Sequence, residues 1–139
     1  MRSFRTTIPH KYKAGKSNRK INTNSIMNMH WGKRKEIHDS FQSIMKPLLA
    51  KCPTDRTGDI RYRISLGFYA GKSTKVADLD NFLILMKWAT DVWKSHMGID
   101  DNFNIVIESR VVYMGKEHDE RVVFQVEETM DLVGKRQYI

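Results

Sequence analysis

Apolar and polar residues alternate along this chain in two distinct rhythms. From Ile60 to Phe68, apolar Ile60, Tyr62, Ile64, Leu66 and Phe68 interleave with Arg61, Arg63, Ser65 and Gly67. That two-residue period predicts a strand with one buried face. Between Lys33 and Leu49, Ile37, Phe41, Ile44, Met45, Leu48 and Leu49 recur three and four residues apart, which predicts an amphipathic helix whose last turn is kinked or shortened by Pro47. A second helix is expected from about Leu79 to Met97, with Leu79, Phe82, Leu83, Met86, Ala89, Thr90 and Trp93 inward and Gly98 as its stop. Ser3 to Ile8 reads as a first strand ended by Pro9. Ile105 to Met114 and Arg121 to Val126 read as two strands forming a hairpin across residues 115–120. The polar stretch from His10 to Asn28 is expected to be a mobile arm, and residues 130–139 a flexible tail. The order β-loop-α-β-α-β-β predicts one α/β (α+β) domain spanning residues 1–139, with a small mixed β-sheet and two main helices.

Charge sharpens this picture. The 139 residues carry 24 Lys and Arg against 16 Asp and Glu, a formal +8. Ten of the basic residues fall in positions 1–35, which contain no acid, so the rest of the chain holds 14 basic against 16 acidic residues. A cationic arm on a near-neutral body is the footprint of a phosphate-backbone binder, with Lys11, Lys13, Lys16, Arg19 and Lys20 as candidate contacts. A solubilising basic tail is the plainer alternative. The arm lacks an apolar helical face to insert into a lipid surface. The longest apolar run, Phe82 to Met86, is five residues, far too short for a membrane-spanning helix. No secretory leader is evident at the start, and Cys52 is the only cysteine, so an intracellular, cytoplasmic setting is expected. The five His and one Cys show no zinc-ligand spacing.

Two acidic clusters carry the candidate chemistry. Asp78-Leu79-Asp80-Asn81 opens the second helix, and Asp100-Asp101 follows its end. Carboxylates two residues apart diverge by about 200° on a helix. They converge where Asp78 is extended and Asp80 lies in the first turn. Such oxygens are hard ligands for Mg²⁺, and a metal so held serves phosphodiester hydrolysis. Spacing alone also fits purely structural duties: Asp78 as a helix N-cap, Asp80 as an acid facing the helix dipole, and Asp100-Asp101 as turn residues.

The Asp78-Leu79-Asp80-Asn81 segment, a helix ending at Gly98, and Asp100-Asp101 leading into a strand together resemble the RusA family of Holliday-junction resolvases (crossover junction endodeoxyribonucleases). His30-Trp31-Gly32-Lys33-Arg34 is similar to the basic opening of the first helix in phage-type members, and the order of elements agrees from about residue 4 to 127. The resemblance implies a homodimeric, Mg²⁺-dependent endonuclease, with Mn²⁺ as a substitute ion, that nicks four-way DNA junctions symmetrically in recombination and repair within a bacterial or phage-infected cell. It puts metal-binding carboxylates at Asp78, Asp80 and Asp101, with Asp100 a lesser neighbour. One position departs from the family pattern: Ile84 stands where members carry a Lys. Lys87, one turn further along, either substitutes for it or merely pairs with Asp91.

Around these acids, Lys72 and Lys75 either grip phosphates or belong to a solvated loop. Lys33, Arg34 and Lys35 sit where a helix dipole disfavours cations, which favours a phosphate role. His30 contacts phosphate or caps the packing. Trp31 and Tyr12 offer rings for unpaired bases, although a Trp at a helix opening is expected in the core. Trp88 and Trp93 are expected in the core or a dimer contact. Competing functions are a non-catalytic basic nucleic-acid binder and a metal-dependent nuclease for other branched DNA. A helix continuous from Asp80 to Met97 separates its ends by roughly 25 Å. Gathering Asp101 beside Asp78 and Asp80 then requires a fold-back or the partner chain of a two-fold dimer.

Overall fold

The computed structural model describes residues 1–56, 58–74, 78–99 and 105–130. It is a small α+β domain built on a mixed sheet. In chain order come β1 (Ser3–Ile8), β2 (Lys11–Ala14), β3 (Ser17–Lys20), α1 (Thr23–Met27), α2 (Trp31–Leu48) and β4 (Arg61–Ala70). A 3₁₀ turn (Leu79–Phe82), α3 (Leu83–Met97), β5 (Val106–Lys116) and β6 (Arg121–Thr129) complete it. Among the described residues, no helix is long and apolar enough to cross a membrane.

The main sheet has the strand order β1-β6-β4-β5. β4 runs parallel to β5 and antiparallel to β6, which in turn pairs antiparallel with β1. The alternation read in the sequence holds along β4: Tyr62, Ile64, Leu66, Phe68 and Ala70 are all buried against the helices, joined by Val122, Phe124 and Val126 of β6 and Ile8 of β1. Ile37, Phe41, Met45 and Leu49 supply the inner face of α2, and Leu85, Trp88, Val92 and Trp93 that of α3. Trp93 meets Tyr62 edge-on at 4.9 Å, and Trp88 meets Phe41 at 5.8 Å. Because Ile84 and Trp88 of α3 line one groove with Trp31 and His38 of α2, and His96 reaches the Cys52 carbonyl beyond α2, the two helices lie side by side in the same direction. Gly98 ends α3 at φ +67°, with Gly98 N–H bonded to the Ser95 carbonyl and Ile99 N–H to Lys94. This is a Schellman cap, which needs a left-handed residue and so favours glycine.

Four expectations are corrected. Residues 10–28 are not a loose arm: β2 and β3 form a hairpin across Gly15-Lys16, and α1 follows, capped by Asn22. Buried Ile21 and Ile26 anchor this segment in the core. β5 and β6 do not form a hairpin, because β4 lies between them; residues 117–120 cross the end of β4, where Glu117 N–H bonds the Ala70 carbonyl. Phe82, Met86, Ala89 and Trp93 of the expected inner face of the second helix are buried, but the face is shifted, leaving Leu83 exposed and burying Leu85, Trp88 and Val92. At about 100° per residue Leu83 and Thr90 lie on one flank of Met86 and Leu85 and Val92 on the other, and the core covers the second flank. Ile44 and Leu48 of α2 are exposed, so the core stripe there is narrower than expected.

Candidate functional site

α3 connects two parallel strands, so its start lies over the C-terminal edge of β4 and its end near the start of β5. The aromatic contact of Phe68 with Phe82 at 4.6 Å fixes the 3₁₀ turn at that C-terminal edge. Asp78 precedes the turn with an extended backbone (φ −63°, ψ 126°), and its Oδ1 accepts from Asp80 N–H at 3.1 Å. Both carboxylates are exposed. Asp78 thus does act as an N-cap, and among the described residues its second oxygen and both Asp80 side-chain oxygens accept no other hydrogen bond, which leaves them open to a ligand. Mg²⁺ is usually held by one or two carboxylates and completes its shell with water and substrate phosphate, so this donor pair fits such an ion. Among the described residues no group of three or more His, Cys, Asp or Glu is assembled.

Thr23, which no spacing or motif in the sequence singles out, secures this junction. Its hydroxyl lies 3.1 Å from the Asp80 carbonyl and 2.9 Å from that of Asn81, and its oxygen accepts from Ile84 N–H at 3.2 Å. One side chain from α1 therefore ties down both carbonyls of the turn and a first amide of α3.

A second cluster pins the basic hairpin to the same edge. The Glu120 carboxylate meets His10 Nε2 at 2.7 Å, Lys20 Nζ at 2.9 Å, Lys11 Nζ at 3.7 Å and the Thr74 hydroxyl at 3.0 Å. Thr74 Oγ1 in turn accepts from Gly71 N–H at 3.1 Å, just past the end of β4. A Cβ on Gly71 would lie 3.1 Å from both Glu120 N and Thr74 Oγ1, so a side chain there would press on this cluster. Burial raises the Glu120 carboxyl, but its hydrogen bonds from Lys20, His10 and Thr74 outweigh that and bring it down to about 2. Burial lowers His10 despite its bond to Glu120. Lys20 Nζ also stands 5.9 Å above the Phe68 ring. None of these partners is close in sequence (His10 and Glu120 are 110 residues apart), which is why no spacing signal revealed them.

The remaining candidates divide as follows. Lys11, Lys13, Lys16 and Arg19 are exposed on the hairpin, and Lys72 is exposed in the turn after β4. His30 caps α2 by accepting from Gly32 N–H through Nδ1 at 3.1 Å. Lys33, Arg34 and Lys35 lie in the first turns of α2; Lys33 is 3.8 Å from Glu36 and Lys35 2.8 Å from Asp39. Lys87 pairs with Asp91 at 3.3 Å and is 67% exposed. Trp31 is 64% exposed, contrary to the core position expected of it: α2 begins at Trp31 itself, on the rim between α1 and α3. Trp88 and Trp93 are in the core as expected. Asp100, Asp101 and Lys75 lie outside the described residues. The chain matches no protein-family model and no curated protein.

Proposed function

We propose that this protein is a Mg²⁺-dependent, structure-selective DNA endonuclease of RusA type that resolves four-way junctions by phosphodiester hydrolysis. The observation that carries the reading is the exposed Asp78/Asp80 pair at the C-terminal edge of β4, beside a cationic hairpin that Glu120 fastens to that same edge. Open sheets with parallel strands commonly receive ligands at this edge.

In this reading Asp78 and Asp80 hold the ion, which supplies water activation and neutralises charge on the leaving oxygen. Asp78 spends one oxygen on the Asp80 amide, which fixes the spacing of the two carboxylates before substrate arrives. Thr23 holds the turn rigid beneath them. Lys11, Lys13, Lys16, Arg19 and Lys72 engage the backbone phosphates, and Lys33 and Arg34 extend that contact along the start of α2. Lys87 is the remaining candidate for stabilising the transition state, drawn from its pair with Asp91 when phosphate is bound. Two copies related by a two-fold axis match the symmetry of a four-way junction, and the partner copy is the proposed source of the third carboxylate, Asp101. Mixing an Asp80→Asn chain with an Asp101→Asn chain then restores nicking, and failure to recover it removes the shared site.

A second reading, a nucleic-acid binder without catalysis, draws on the capping role of Asp78 and on Ile84 in the position of the family Lys. The deciding experiment incubates a synthetic four-way junction with protein and Mg²⁺, alongside Asp80→Asn. Cleavage by the parent alone, with junction binding kept by both, supports the nuclease; binding without cleavage by either supports the binder. A linear duplex and a flap substrate in parallel test other branched DNA.

A further inference from the structure

Beside the acidic turn runs a groove of about 440 Å³ between α1, α2 and α3, lined by Met27, Trp31, Arg34, His38, Ile84 and Trp88 together with the Lys35–Asp39 ion pair. Its rim exposes unusually large apolar surface: Trp31 is 64% and Met27 55% exposed. A solvent-facing indole at a helix start contributes little to folding, so its apolar face is free for a partner. Ile84 belongs to both features, since it lines the groove while its amide is held by Thr23 next to Asp80. The groove therefore reaches α3 about one turn beyond Asp80.

We propose that this groove receives an unpaired nucleobase, stacked on Trp31, from the strand whose phosphate lies at Asp78 and Asp80; the assignment rests on the nucleic-acid reading above. The chemistry is matched on both counts. The indole and the Met27 thioether offer a flat, polarisable surface, which suits a base π-face without regard to sequence. Arg34, which lines the groove, has no acidic partner among the described residues, whereas its neighbours Lys33 and Lys35 have Glu36 and Asp39. An unpaired guanidinium beside an aromatic ring suits a nucleotide, whose base stacks while its phosphate takes the cation. A purely apolar partner covers Arg34 without an acid bonded to it, since Asp39, which also lines the groove, is held by Lys35 and His38. Duplex DNA keeps its bases stacked internally, so this groove distinguishes opened or branched DNA from linear duplex.

The test uses the intact protein with single-stranded oligo(dT) and with a linear duplex. Trp93 is fully buried away from the groove and Trp88 is 5% exposed at its wall, so quenching of tryptophan emission by oligo(dT) reports on occupation of the groove, most directly at the exposed Trp31. The expected result is strong quenching in the parent and about 5- to 150-fold weaker oligo(dT) binding by Trp31→Ala, as measured for single stacked bases. Trp31→Phe recovers most of that affinity, and duplex affinity changes less than about twofold in either variant. Unchanged oligo(dT) affinity in Trp31→Ala, or emission indifferent to oligo(dT) while the duplex still binds, overturns the base site and leaves the nuclease reading standing. Absence of binding to any DNA overturns both. Sedimentation of the free proteins decides the other occupant: a parent dimer that becomes monomeric in Trp31→Ala makes the groove an interface between copies and overturns the base site.

Discussion

Replacing Glu120 by Gln isolates the electrostatic part of the cluster that fastens the basic hairpin. The substitution keeps the shape but removes the only acid facing His10, Lys11 and Lys20 among the contacts of that cluster. A carboxyl brought from 4.5 down to about 2 corresponds to at most about 3 kcal/mol of stability at neutral pH. Lys11 and Lys20 are 45% and 41% exposed, so water screens both pairs and about 1–2 kcal/mol is expected to remain. The sign follows from the direction of the shift. The folded state holds the carboxyl below its unfolded value, so the contribution is complete above pH 4.5 and is lost as pH falls toward about 2. His10 acts in the same direction at milder acidity, because burial holds its imidazole below 6.5 and protonation then opposes the folded state. Urea unfolding at pH 7 is therefore expected to show Glu120→Gln weaker than the parent by about 1–2 kcal/mol, with the gap closing between pH 4.5 and 2. Amide exchange should rise first in the hairpin, at Tyr12 and Arg19, whose pairing it shields. Parallel stability curves for the two proteins across that pH range refute the argument.

Two further substitutions test local accounts. Thr23→Val removes the donor shared by the Asp80 and Asn81 carbonyls and strands the Ile84 amide, so a loss of about 1–2 kcal/mol is expected in chemical denaturation; an unchanged midpoint contradicts the latch. The Tyr62 hydroxyl is buried with no partner among the described residues, so Tyr62→Phe should be neutral or up to about 1 kcal/mol more stable, and a clear loss in thermal unfolding shows that a bound water or ion satisfies it.

What the sequence disclosed follows from the range of the forces involved. β4 was legible because half of its residues face one core, and a two-residue period records that without knowledge of its neighbours. α2 was legible for the same reason at a longer period, through Ile37, Phe41 and Met45. The inner face of α3 was legible only in part: Met86, Ala89 and Trp93 are buried as expected, but apolar residues flank them on both sides, and periodicity alone does not say which flank meets the core. Strand neighbours were not legible either: β5 and β6 are adjacent in sequence, yet β6 pairs with β1 and β4 because those placements bury Val122, Phe124 and Val126 together with Ile8 and Leu66. The order of residues 10–28 was hidden in Glu120, a residue far down the chain with an unremarkable local setting. Asp78 and Asp80 were legible as a pair, since an extended residue followed by a tight turn is a local property.

The two acidic clusters differ for a reason that lies in the topology itself. A helix joining parallel strands must start at one edge of the sheet and end at the other, and α3, at 15 residues, spans about 22 Å. Asp78 and Asp80 belong to the edge where β4 ends. The described residues that bracket Asp100 and Asp101 belong to the opposite edge: Ile99 closes the cap of α3, and the Ile105 carbonyl accepts from Tyr62 N–H at 2.8 Å, where β4 begins. The hairpin, the turn after β4 and the starts of α2 and α3 all lie at the first edge, so positive charge concentrates there. Among the described residues, that edge offers the exposed Asp78 and Asp80 carboxylates within a positive field, which suits an ion that brings its own water and borrows the rest of its shell from substrate. Under the nuclease reading, a third carboxylate is a property of how two copies meet rather than of how one copy folds, and junction geometry would then select the active assembly.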